Sequence, residues 1–108
     1  MQKSRLFMQQ WQGYTQDYKT RAGLKIAEQF ITSVEEALNF IQKNPYACVS
    51  YYIGEGYDDL QKYEFRKWNL ADFPYLVLFR INRHNILIEA IYAHKMNIAT
   101  HSIVDIKQ

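Results

Sequence analysis

Two apolar segments joined by a four-residue polar turn constrain this chain more than any other feature. The segments are residues 75–81 and 86–92, and the turn between them reads Asn82-Arg83-His84-Asn85. Both segments are apolar at nearly every position. Strands of a sheet with one solvated face would instead alternate apolar and polar residues. We therefore predict that they form the centre of a small sheet whose two faces are each at least partly covered.

The first 44 residues carry the spacing of two amphipathic helices. Gly23 is a typical helix stop, and Pro45 ends the second helix because the residue before a proline is pushed out of helical geometry. So few residues separate the helices that we predict an antiparallel helix hairpin over residues 3–44. The apolar positions are Phe7, Trp11, Tyr14 and Tyr18 in the first helix, and Ala27, Phe30, Ile31, Val34, Ala37, Leu38 and Ile41 in the second.

After Pro45 the apolar period changes to two, which predicts a sheet over residues 46–94 and leaves a tail of residues 97–108. That tail fits either a short strand or a helical turn. A chain of 108 residues is expected to form one domain with one core. The predicted fold class is α+β, with the helix hairpin packed on one face of a small antiparallel sheet.

The turn also predicts which side chains share a face. If Arg83 and His84 form its centre, Asn82 pairs with Asn85. Strict alternation then places Tyr75, Val77, Phe79, Ile81, Ile86, Ile88, Ala90 and Tyr92 against the helices. The opposite face receives Leu76, Leu78, Arg80, Leu87, Glu89 and Ile91. A slip of one residue would invert every assignment.

Composition narrows the class of protein and its partners. Cys48 is the only cysteine, so the chain can form no internal disulfide and no cysteine-based metal site. We expect no metal and no cofactor. No segment approaches the roughly 20 apolar residues that span a bilayer, and the first residues lack a signal-peptide core, so we expect a cytoplasmic protein without a membrane partner. Residues 62–95 carry six basic and three acidic side chains. This local positive charge either attracts an acidic partner to the sheet or belongs to a solvated rim of charged side chains.

Taken together, these segments resemble the RelE/ParE superfamily of toxins from bacterial type II toxin–antitoxin systems, in particular its ParE-like, plasmid-stabilisation branch. The resemblance runs from about residue 10 to residue 97. It rests on the order and spacing of Trp11 and Tyr14, the helix that ends at Asn44-Pro45, Arg66-Lys67, Phe73-Pro74-Tyr75, the apolar strand to Arg80-Ile81, and the last strand before His94. The resemblance implies an α+β fold, a cognate antitoxin that wraps the toxin, and one of two activities: ribosome-dependent mRNA cleavage or poisoning of DNA gyrase.

The chain departs from that family pattern in three places. Almost nothing precedes Phe7 to form the usual first strand. Asn97 and Ala99 stand where the family commonly has arginine and proline near its end. The loop over residues 54–60 is longer and more acidic than usual. The missing arginine is the kind of group that would hold a phosphate.

RNA cleavage through the 2′-hydroxyl needs a base, cations on the phosphate and an acid for the leaving oxygen. Glu89 could be the base, and Tyr92 or His94 the acid. The cations available are Arg66, Lys67, Arg80 and Lys95. The resemblance supports catalytic roles most directly for Arg66, Arg80 and His94. The predicted faces, however, separate Tyr92 and His94 from Arg80 and Glu89, although His94 could turn to the open face if the alternation ends after Ala93. Arg80 and Glu89 could equally form a structural ion pair.

The leading hypothesis is therefore a ParE-like toxin that binds a macromolecular target, DNA gyrase, and is neutralised by an antitoxin. The alternatives are a RelE-like mRNA endonuclease and an inactive relative that serves as an interaction module. An apolar patch of Leu76, Leu78, Leu87 and Ile91 is predicted to need a cover, either the antitoxin or a second copy of the chain. We expect Lys67, Glu89 and Lys95 to join that patch in binding the target or the antitoxin.

Overall fold

The computed structural model describes residues 1–51 and 64–94. The elements in chain order are strand β1 (Gln2–Lys3), helix α1 (Arg5–Ala22), helix α2 (Leu24–Lys43), a 3-10 turn (Pro45–Ala47) and strands β2 (Val49–Ser50), β3 (Glu64–Asn69), β4 (Tyr75–Asn82) and β5 (Asn85–Ala93). Within these residues the strands form one sheet in the order β1-β5-β4-β3-β2. The α+β fold class is confirmed.

Both helices begin and end where local chemistry requires it. Ser4 caps α1, because its hydroxyl accepts a hydrogen bond from the Phe7 amide at 2.9 Å. Gly23 ends α1 with φ 97°, a left-handed conformation that costs glycine little, and α2 begins at the next residue. The two helices therefore fold back on each other, as the apolar spacing predicted.

The helix hairpin covers one face of the sheet. Phe30, Val34 and Ile41 of α2 are fully buried against Val77 and Phe79 of β4. Trp68 of β3 stacks on Phe40 of α2 with ring centroids 4.1 Å apart. Burial of this apolar area is the main stabilising contribution to the fold. We call this side of the sheet the helix face and the other side the distal face.

The predicted turn register is confirmed, but only for half of the β4–β5 pair. Asn82 pairs with Asn85, and the register continues to Phe79 and Ile88. Beyond that point β5 has one residue more than β4, so that Leu78 pairs with Ala90 and not with Glu89. Such a bulge inverts the alternation of side chains in the rest of the strand.

The predicted faces are therefore wrong for the second half of β5. Ile91 pairs with Val77 and is buried in the core on the helix face. Tyr92 pairs with Leu76, and both it and Ala90 lie on the distal face. The sequence analysis had assigned each of these three residues to the opposite side.

The N-terminal strand is a second correction. The sequence analysis found almost nothing before Phe7 to form a strand, yet Gln2 and Lys3 pair in parallel with Leu87 and Ile88 of β5. Two residues are too few to show an apolar alternation, so the pattern could not reveal this strand. The sheet also begins later than predicted, at Val49, because Pro45–Ala47 forms the 3-10 turn. The predicted loop and tail, residues 54–60 and 97–108, lie outside the described residues.

Candidate functional site

The polar centre of the distal face is an ion pair at the bulge. Arg80 Nε donates to Glu89 Oε1 at 2.6 Å, and the two side chains are 23% and 15% exposed. The main chain of the bulge is held as well, since the Ser4 hydroxyl donates to the Glu89 carbonyl oxygen at 2.6 Å. Gln10 of α1 then accepts a hydrogen bond from the Ile91 amide at 2.8 Å. Ser4, the N-cap of α1, and Gln10 within α1 thus fix the extra residue and the strand just after it.

The bulge changes which candidates share a surface. Tyr92 lies on the distal face with Arg80, whereas the sequence analysis had separated them. Tyr92 is nevertheless buried, with 1% of its surface exposed. A hollow of about 410 Å³ borders the ion pair, and Lys3 and Leu87 also line it. The hollow therefore contains a basic and an acidic group of the predicted set, but not Tyr92.

Arg66 is on the other side of the sheet. It pairs with Phe79, which places it on the helix face. Its guanidinium donates to the Cys48 carbonyl oxygen at 2.7 Å and to Glu64 at 2.6 Å, and lies 5.4 Å from the centre of the Tyr46 ring. These contacts tie the start of β2 to β3. Arg66 and Arg80 consequently do not converge on one phosphate position.

The burial of Cys48 beneath this arginine alters its thiol. Burial raises the pKa of the Cys48 thiol, and the nearby Arg66 charge offsets part of that rise. A thiol whose pKa is raised is a poor nucleophile at neutral pH, because the thiolate is the reactive form. Cys48 is thus a small buried apolar side chain.

The remaining predicted residues are dispersed. His94 is exposed just beyond β5, and its main-chain amide donates to the Pro74 carbonyl at 3.1 Å. Lys67 lies on the distal face, paired with Leu78. Lys95 lies outside the described residues. Within the described ranges, no cluster of three or more potential metal ligands occurs.

The predicted apolar patch does not form as a single surface. Leu76 and Leu78 are on the distal face but are buried, at 2% and 0% exposure, and Leu87 is half-buried. Ile91 is on the helix face, for the reason given above. In this structure the four side chains do not offer the exposed apolar area that the sequence analysis expected.

The chain is similar to known toxins both in sequence and in fold. The profile of the ParE toxin of the type II toxin–antitoxin system parDE matches residues 2–98. The chain belongs to the ParE toxin family. Among solved structures, the chain is similar to a chain described as the chromosomal ParDE TA system from P. aeruginosa, with a TM-score of 0.67, 16% identity, and coverage of 85% of this chain and 91% of that one. No curated protein matches the sequence.

In this ParE-family chain, two residues that the sequence analysis did not single out, Ser4 and Gln10, support the Arg80–Glu89 pair by holding the main chain of β5. The Ser4 hydroxyl bonds to the Glu89 carbonyl and the Gln10 side chain to the Ile91 amide, so these two residues hold the main chain at the bulge. Ser4 stands three residues before Phe7, a helix-start signal that the sequence does contain. Nothing in the sequence indicates the bond from Ile91 to Gln10, because it joins residues 81 positions apart.

A second missed feature is a cluster of aromatic rings between the helices and β4. The centroid of Tyr75 lies 4.7 Å from that of Tyr14 and 5.3 Å from that of Phe30, and Tyr18 packs 5.2 Å from Phe73. Burial raises the pKa of the Tyr75 hydroxyl, and a hydrogen bond with Tyr18 raises it further. Tyr75 therefore stays protonated well into alkaline solution.

Within the described residues, no helix is long and apolar enough to cross a membrane.

Proposed function

We propose that this chain is the toxin of a type II toxin–antitoxin pair, that it acts by binding DNA gyrase, and that a cognate antitoxin neutralises it. The observation that carries the proposal is the family match over residues 2–98, taken with the dispersal of the three candidate catalytic residues. Arg66 is on the helix face, Arg80 is on the distal face, and His94 is exposed beyond the end of β5.

The dispersal favours binding over catalysis for a geometric reason. A general acid, a general base and a phosphate-holding cation must all lie within hydrogen-bond reach of one substrate. Here the Arg66 guanidinium is already bound to Cys48 and Glu64, and that of Arg80 is bound to Glu89. A toxin that acts by holding its target in an inactive state needs no such convergence.

A supercoiling assay tests the gyrase proposal. Purified chain is added to DNA gyrase and relaxed plasmid, and we expect supercoiling to fall at micromolar protein. The matched control is Phe79→Asp, which buries a charge in the core at a fully buried position and should unfold the chain. Undiminished supercoiling with the folded wild-type protein would overturn the gyrase proposal.

One observation favours a second candidate, a RelE-like mRNA endonuclease. The bulge brings Tyr92 to the same face as Arg80 and its partner Glu89, a closer grouping than strict alternation allows. Primer extension on ribosome-bound mRNA tests this candidate. Cleavage that disappears in Arg80→Ala would support the endonuclease and count against a purely binding toxin.

Growth measurements separate both toxin activities from an inactive interaction module. We expect induced expression to arrest bacterial growth, and co-expression of the antitoxin to restore it. The natural candidate for the antitoxin is the product of a small neighbouring reading frame. Unchanged growth with soluble, folded protein would favour the inactive module.

A further inference from the structure

An acidic hollow of about 760 Å³ lies between helix α2 and the segment that precedes β4. Three carboxylates line it, those of Glu28, Glu36 and Asp72, against one ammonium group, that of Lys25. The three carboxylates are exposed, and none of them forms an ion pair with a described residue. The hollow is therefore a negatively charged surface on a chain whose formal net charge is +2.

A buried hydroxyl group belongs to the same lining. Ser33 is 6% exposed, and its Oγ has no hydrogen-bond partner among the described residues. A buried hydroxyl normally bonds to a neighbouring group, and in a helix the usual partner is the carbonyl oxygen four residues earlier. Leaving the hydroxyl unpaired destabilises the chain. A ligand that donates a hydrogen bond to Ser33 accounts for a hydroxyl at this position.

The lining favours a cationic group on an apolar stem. Glu28 and Glu36 are eight residues apart on one helix, which separates them by about 12 Å along its axis. The Phe73 ring and Ile26 add apolar contact area to the lining. A guanidinium group binds carboxylates through paired hydrogen bonds, stacks on aromatic rings and donates to hydroxyl oxygens. An arginine side chain therefore matches the carboxylates, the ring and the Ser33 hydroxyl together.

We propose that this acidic hollow binds a basic segment of the target protein and that an arginine of that segment donates to Ser33. The inference rests on the proposed function, in which the target is DNA gyrase. An enzyme that handles DNA neutralises phosphates with lysine and arginine side chains on its DNA-facing surface. The acidic hollow is complementary to such a surface, and it repels nucleic acid itself. Helix α2 is then a target-binding element, apart from the Arg80–Glu89 pair on the distal face.

The charge of the hollow is tested by the affinity of the purified chain for immobilised DNA gyrase at several salt concentrations. A variant with both Glu28→Gln and Glu36→Gln removes two of the three carboxylates. We expect about a fivefold loss of affinity at low salt, as for two exposed charge pairs, and a smaller loss at high salt. The matched control is Glu35→Gln, which removes an exposed carboxylate of α2 that does not line the hollow and should bind as wild type.

The variant Ser33→Ala separates ligand binding from folding. Removal of a buried hydroxyl that has no partner should leave the free energy of unfolding unchanged or raise it. The same variant should bind gyrase about tenfold more weakly, because the arginine of the target loses its acceptor. Unchanged affinity in Ser33→Ala would overturn the arginine contact.

The outcomes separate this site from the toxin activity. Wild-type affinity in both the double glutamine variant and Ser33→Ala would overturn the acidic hollow as a binding site and leave the gyrase proposal standing. Failure of the wild-type chain to bind gyrase would instead overturn both. Variants that bind gyrase normally but lose the antitoxin would assign the hollow to the antitoxin and overturn the target contact. A dimer of the wild-type chain that the double glutamine variant does not form would assign it to a second copy.

Discussion

The stability of this fold should depend strongly on a single hydroxyl group, that of Ser4. Its oxygen accepts a hydrogen bond from the Phe7 amide at 2.9 Å and its hydrogen is donated to the Glu89 carbonyl at 2.6 Å. The first bond starts helix α1, and the second holds the bulge of β5. Ser4→Ala removes both bonds while leaving the backbone free to keep its conformation.

The magnitude follows from the two bonds. Loss of an N-cap costs about 1 kcal/mol, and loss of a hydrogen bond that leaves a partly buried carbonyl without its donor costs about 1 kcal/mol more. We therefore expect Ser4→Ala to lower the free energy of unfolding by about 2 kcal/mol. With a urea dependence of about 1.5 kcal/mol/M, the unfolding midpoint should fall by roughly 1 M.

Urea denaturation followed by circular dichroism measures this change, and Ser4→Asp separates the two roles. The aspartate keeps the cap and adds a favourable charge at the helix start, but it cannot donate to Glu89. Ser4→Asp should therefore lie between wild type and Ser4→Ala in stability. A loss below about 0.5 kcal/mol in Ser4→Ala, or a Ser4→Asp variant more stable than wild type, would refute the reasoning.

Three further outcomes are expected. A double-mutant cycle on Phe40 and Trp68 should give a coupling of about 1 kcal/mol, because their rings stack 4.1 Å apart, and a coupling near zero would contradict the stack. Arg66→Ala should cost about 2 kcal/mol in urea denaturation, since the Cys48 carbonyl loses a charged donor, while a cost within error of zero would contradict that bond. Because the pKa of Tyr75 is raised on folding, the unfolded chain loses that proton first as pH rises above about 10. Stability should fall there, and fall less steeply in Tyr75→Phe; equal slopes would contradict the raised pKa.

The helices could be predicted from the sequence because their signals are local. The apolar stripe of α2, from Ala27 to Ile41, spans about four turns. The residues that end the helices, Gly23 and Pro45, act on the backbone next to them. The β4–β5 hairpin was predictable for the same reason, since its turn centre is Arg83-His84 and its first pairs follow from that turn.

The second half of β5 could not be predicted because its geometry is fixed from a distance. The extra residue, Glu89, is held by Ser4 and Arg80. The Gln10 side chain accepts a hydrogen bond from the Ile91 amide, two residues further along β5. None of these contacts can be recognised in the sequence of β5, because the strand is apolar at almost every position on both sides of the bulge. A one-residue bulge in a strand that is apolar throughout changes every face assignment beyond it without changing the pattern.

That bulge also determines what the distal face can do. With strict alternation, Glu89 would lie directly across from Leu78 on the distal face and Tyr92 would lie on the helix face. With the bulge, Tyr92 shares the distal face with the Arg80–Glu89 pair, yet it is packed where solvent does not reach it. The candidate cation and the candidate base at the bulge, Arg80 and Glu89, are already bonded to each other. An ion pair of this kind offers little to a phosphodiester in need of proton transfer, which favours recognition over catalysis.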